Sequence, residues 1–210
     1  MSNQVIHLGP SEVVEGRNFA NPAGGLADLI TLQYMVEALS QFVRSLTAIP
    51  DYPRPLIHFL EESGTRLHRL ALVNADALLQ ARDLTVVGFC GQKRGGIDHG
   101  PLHALDVELV AELPQYPGLL SYSTLHLEDG NACNLVLFSQ PQAIQHWATS
   151  KKHAQAVQMS SGYYESIRLH HGRLAGDLTS NSTLILLRTK YFDYRHQPVW
   201  RAVRELQGRA

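Results

Sequence analysis

His146, Trp147, Ser150 and His153 crowd four chemically active side chains into eight residues. They follow Ser139-Gln140-Pro141, a helix-start signal of capping residue and early proline, so a helix is expected to run from there to about Val157. At about 100° per residue, Ala143, Ile144, Trp147, Ala154 and Val157 form its buried stripe. His146, Ser150 and His153 fall on one edge of that stripe at spacings of four and three, as mutual neighbours. Such an edge is where a pocket between helix and sheet opens. A neutral imidazole there can act as general base, hydrogen-bond donor to a carbonyl, or metal ligand. The pattern nominates His153 as acid/base or ligand, Trp147 as pocket wall and Ser150 as orienting hydroxyl, with His146 near the substrate. The plainer reading makes Trp147 a core residue and both histidines solvated side chains.

Further candidates lie on flanking segments. Asn134 alternates with Cys133 and Leu135 on an expected strand and can point into either face. Arg168 and His170, two apart, share one strand face and suit an anionic substrate group, a cross-strand pair or a dimer contact. His99 and His103 have the spacing of a helical metal pair, but Gly100-Pro101 interrupts the helix between them, and no metal is expected. Cys90 reads as a small buried apolar residue. Gly88, Gly91, Gly95 and Gly96 match no phosphate-cradling motif.

The elements that must carry these groups come next. Apolar positions from Leu26 to Leu46 recur at helical spacing, with Pro50 expected to end the helix and Pro50, Pro53 and Pro55 to form a stiff connector. Residues 56–73 read as a helix or strand pair, and Ala75–Arg82 as helical. Leu84–Gln92 is expected as a strand and Leu102–Leu113 as a helix. Two strands follow around the turn Glu128-Asp129-Gly130-Asn131, then the helix described above, then strands at Tyr163–His171 and Thr183–Tyr191. This β-α-β-β-α-β order with one added strand predicts an α+β class, a ferredoxin-like antiparallel sheet with both helices on one face. The domains expected are an α-rich or degenerate ferredoxin-like region at 1–83, the ferredoxin-like unit at 84–193, and a tail or helix at 194–210. The bare sheet face must be covered by residues 1–83 or by a second copy.

Composition narrows the function classes. Of 210 residues, 44% are hydrophobic and 18% charged, with a formal net charge of -1, which suits a folded globular chain and gives no basic patch for nucleic acid. No apolar run reaches membrane-span length, and the N-terminus lacks a secretory pattern. Two cysteines build no disulfide framework, so a reducing cytoplasm is expected.

The hairpin, the proline-started helix Ala-x-x-His-Trp-x-x-Ser-x-x-His and the following Tyr163-Tyr164-x-x-Ile167-Arg168-Leu169 together resemble the antibiotic-biosynthesis-monooxygenase family of dimeric α/β barrels, over roughly residues 84–193. The resemblance implies a homodimer joined through its sheets and a pocket between sheet and helices. It also implies a pocket-facing histidine matching His153. The haem-degrading branch adds a tryptophan, matched by Trp147, and a first-strand asparagine that Thr85–Gln92 does not contain. The function implied is a monooxygenase acting on a small aromatic, quinol-like or tetrapyrrole substrate. No cofactor is required, and haem is a substrate or ligand option. The alternatives are a non-catalytic haem or small-aromatic binding protein and a structural dimeric α/β-barrel protein.

Overall fold

Leu135 and Leu137 pack in one apolar cluster while Val136 packs in another, and Leu70 and Leu72 flank Ala71 in the same way. This alternation marks strands buried on both faces. The computed structural model describes residues 5–46, 54–62 and 66–206. Its strands are β1 (Ile6–Leu8), β2 (Leu56–Glu62), β3 (Arg66–Leu72), β4 (Asp83–Lys93), β5 (Leu119–His126), β6 (Ala132–Phe138), β7 (Tyr164–Ala175), β8 (Thr183–Asp193) and β9 (Trp200–Glu205). The helices are α1 (Pro22–Ser45), α2 (Ala75–Gln80), α3 (Gly100–Glu112), α4 (Ala143–Trp147) and α5 (Lys151–Tyr163).

All nine strands form one sheet in the order β1-β9-β8-β7-β4-β6-β5-β3-β2. Among the described residues only the β1–β9 pair is parallel; the others are antiparallel. On one face α1 and α2 pack through Leu32, Met35, Val36, Leu39, Val43 and Leu78. On the other, α3 and α4 pack through Leu109, Val110, Ala143 and Trp147, with α5 alongside α3.

The ferredoxin-like expectation is therefore corrected. The strand and helix succession from β4 to β7 is present, but those strands are only the middle of a nine-stranded mixed sheet, and helices cover both faces rather than one. The reason lies in residues 5–83. Their longest element, α1, has an apolar stripe that must be buried, and the face left free by α3 and α5 receives it. Here the cover comes from within the chain, and the face expected to join a second copy is occupied. Residues 200–205, expected as tail or helix, pair with β8 as β9. α1 ends at Ser45, before the Pro50 expected to stop it; of the expected Pro50, Pro53 and Pro55 connector, Pro50 and Pro53 lie outside the described residues and Pro55 directly precedes β2.

Two local features fix the layers. Gly88 on β4 lets α1 come close: a Cβ there would stand 2.6 Å from Leu32 Cδ1. Cys90 and Cys133 face each other in register on β4 and β6, with Cα atoms 4.3 Å apart, and are joined as a disulfide. The free, apolar role expected of Cys90 is thus corrected, because β-pairing across 43 residues of chain brings the two thiols together. Among the described residues, no helix is long and apolar enough to cross a membrane.

Candidate functional site

Strand alternation sends Val87, Phe89 and Lys93 of β4 to the α3/α5 side of the sheet. Tyr122, Thr124 and His126 of β5, Asn134 of β6, and Ile167 and Leu169 of β7 point the same way. Over them, α3 and α5 form a roof containing His99, Leu102, His103, Asp106, His153, Ala156 and Val157. Sheet and roof bound a cavity of about 330 Å³ that is partly open to solvent, with Trp147 in its wall and Phe192 and Tyr194 at the β8 side. The roof helices are tied together by Lys152, which pairs with Glu108 and stands 3.5 Å from Glu112. Gly91 leaves room for the Tyr164 ring, which meets Phe89 edge-on at 5.3 Å.

The sequence candidates divide between the two faces. His153 lines the cavity, with its ring 4.9 Å from that of Trp147. Burial pushes its pKa below the ordinary 6.5 and so favours the neutral ring. Trp147 is both core and cavity wall: it is 6% exposed, and Tyr116 packs edge-on against it at 5.3 Å. Asn134 also lines the cavity. Ser150 does not; its buried hydroxyl caps α5 by accepting the His153 backbone N–H at 3.1 Å. His146 is exposed on α4. The chain breaks helical geometry between Trp147 and Lys151, and this separates His146 from the edge shared with His153 and leaves Ala154 and Val157 exposed. The continuous helix expected from the sequence is corrected accordingly.

Arg168 and His170 face away from the cavity, toward α1. Their anion is the chain's own Asp28. Arg168 donates through Nε and, at 2.8 Å, through Nη2, and His170 Nε2 lies 2.7 Å from Asp28 Oδ2. His170 Nδ1 meets Thr189 Oγ1 at 2.9 Å. Burial alone would raise the Asp28 pKa, but the hydrogen bonds from Arg168 and His170 outweigh it and hold the carboxyl below its ordinary value. Asp28, Cys90 and His170 bring potential metal donors together, but Cys90 is disulfide-bonded and Asp28 is paired with Arg168, so these donors are engaged.

The sequence reading missed a polar chain on the cavity wall. Arg69 pairs with Asp106 at 2.7 Å, Tyr122 donates to Asp106 at 3.1 Å, and Asn134 Nδ2 donates to the Tyr122 hydroxyl at 3.0 Å. Burial, followed by the Asp106 charge, raises the Tyr122 pKa well above 10, and burial lifts Tyr164 to about 12. Burial and then the nearby Lys93 charge push the His126 pKa down. Period-two alternation puts Tyr122, Thr124 and His126 on one face of β5, but Asn134, Arg69 and Asp106 join them from other elements through packing that no local pattern reveals.

The described residues thus form one nine-stranded mixed sheet with helices on both faces and an aromatic-walled cavity between the sheet and α3 and α5. No family model matches the chain, and no curated protein does.

Proposed function

We propose that the cavity binds a small hydroxylated aromatic molecule and that the chain is a monooxygenase for it, using molecular oxygen with no cofactor of its own. The carrying observation is the half-buried imidazole of His153, where burial disfavours the charged form, inside a cavity walled by Phe89, Tyr122, Trp147, Tyr164, Phe192 and Tyr194. A volume of about 330 Å³ lies at the low end of ligand pockets, which favours a two- or three-ring molecule over a tetrapyrrole. His153 accepts the phenolic proton. The resulting anion is electron-rich enough to react with oxygen at the ring carbon para to it. Hydroxyarene plus O2 then gives quinone plus water: one oxygen atom enters the ring, the other leaves as water, and the substrate supplies all the electrons. The protein contributes orientation, a proton acceptor and exclusion of water.

The test uses 1-naphthol, followed by fluorescence for binding and by an oxygen electrode for turnover. Oxygen uptake with quinone absorbance is expected, and His153→Ala should retain binding while losing about 10²-fold or more in rate. Binding without uptake would make the chain a small-aromatic binding protein instead. Absence of binding would end the reading altogether.

A further inference from the structure

The cations bordering the cavity fall into two groups. Arg69 is neutralised by Asp106, and Lys93 has the Asp129 carboxylate near enough to favour its charge. The second group has no such partner. On β8 and β9, register places Lys190 directly across from Leu169 of β7 and Arg201 directly across from Phe192. Both Leu169 and Phe192 line the cavity. Directly opposed residues hold their Cβ atoms about 5 Å apart, so both cations stand at the cavity's β8 margin. Arg188 joins them two residues along β8, on the same face and opposite His171.

Among the described residues, Arg188, Lys190 and Arg201 make no ion pair and no side-chain hydrogen bond, and the Nε atoms of both arginines are buried without a partner. The nearest acidic position in register is Glu205, across from Arg188 on β9, and it is exposed and makes no ion pair with it. These cations also feel one another. Burial and then the Arg188 charge lower the Lys190 pKa; burial, Lys190 and Arg188 hold His171 at about 4. Three half-buried cations on adjacent strands that make no ion pair repel one another, and a bound anion would relieve that cost.

We infer that Arg188, Lys190 and Arg201 form an anion subsite continuous with the aromatic cavity, so that its ligand is an aromatic acid, with the ring system inside and the carboxylate over β8 and β9. This rests on the small-aromatic reading of the cavity and adds the charge of the substrate class to it.

The experiment compares 6-hydroxy-2-naphthoate with its neutral isostere 6-hydroxy-2-naphthamide, by fluorescence titration of the full chain at two salt concentrations. Wild type should bind the acid about tenfold or more tighter than the amide, with a preference that shrinks at high salt. The variant Arg188→Gln/Lys190→Gln/Arg201→Gln should lose the preference while keeping its affinity for the amide, which also shows that it has folded. Equal binding of acid and amide by wild type overturns the subsite and leaves the cavity reading standing. Binding of neither probe overturns the cavity reading, and the subsite with it. Capture of polyglutamate, with no preference for acid over amide, would assign the patch to an acidic macromolecule and overturn the inference.

Discussion

Asp28→Asn is the substitution that most directly separates a structural from a substrate-binding role for Arg168 and His170. Its carboxylate is 6% exposed, His170 is fully buried and the Arg168 side chain is 21% exposed. The variant keeps the shape of the side chain but leaves a guanidinium beneath α1 without its anion. Removing one partner of a buried pair costs about 3–5 kcal/mol, much of it from stranding the other. For a chain of this size each kcal/mol moves Tm by roughly 2–4 °C, so a fall of about 6–20 °C is expected. Arg82→Gln is the control: it breaks an exposed pair with Asp177 and should cost less than about 1 kcal/mol. The pH dependence has a definite sign. The folded Asp28 pKa lies below its ordinary 3.8, so its contribution is complete above that value and is lost as pH falls through the lower, folded value. Urea unfolding at pH 7 and pH 3 measures both effects, and the gap between wild type and Asp28→Asn should narrow at the acid end. A variant within about 1 kcal/mol of wild type at pH 7 would refute the reasoning, because the pair would then not be holding α1 to the sheet.

The remaining expectations are brief. The disulfide closes a loop of 43 residues, for which chain entropy predicts about 4 kcal/mol; Tm should drop on adding a phosphine reductant, and thiols titrating in unreduced, denatured protein would contradict the bond. If His153 is the proton acceptor, the acid limb of the rate profile should have its midpoint below pH 6.5, since burial lowers its pKa and the base form persists into acid; a midpoint at or above 6.5 counts against it.

Periodicity revealed most of the elements because each buries a clear face. The Leu26–Leu46 spacing follows α1 up to its C-cap at Leu46, and the Glu128–Asn131 turn joins β5 to β6. What it could not reveal was where a face is buried. The spacing from Leu26 to Leu46 marks a helix, but Leu26 and Ile30 of that spacing are exposed while Leu32, Met35 and Leu39 carry the buried face, and nothing local says that the sheet face behind β4 receives it. The helix of 139–157 shows the same limit at smaller scale. Ser150 as a cap breaks the phase between Trp147 and His153, so His146 leaves the edge its spacing suggested. His153 and Trp147 were visible as a pair; their neighbours Tyr122 and Asp106 come from segments 16 residues apart and meet only through packing. For Arg168 and His170 the spacing left an anionic substrate group, a cross-strand pair and a dimer contact all open, because the anion they bind, Asp28, lies 140 residues away from Arg168 and 142 from His170.

The contact of Leu32 with Gly88 reaches beyond its own layer. Val87 and Phe89, the residues on either side of that glycine, form part of the cavity's floor, and a strand one residue thick has no slack between its two sides. Trimming Leu32 to alanine would let the floor sag away from the roof, while a bulkier residue would lift it. Ligand size preference could thus be tuned by a helix that never meets the ligand, making α1 a shim under the chamber as well as a cover for the sheet.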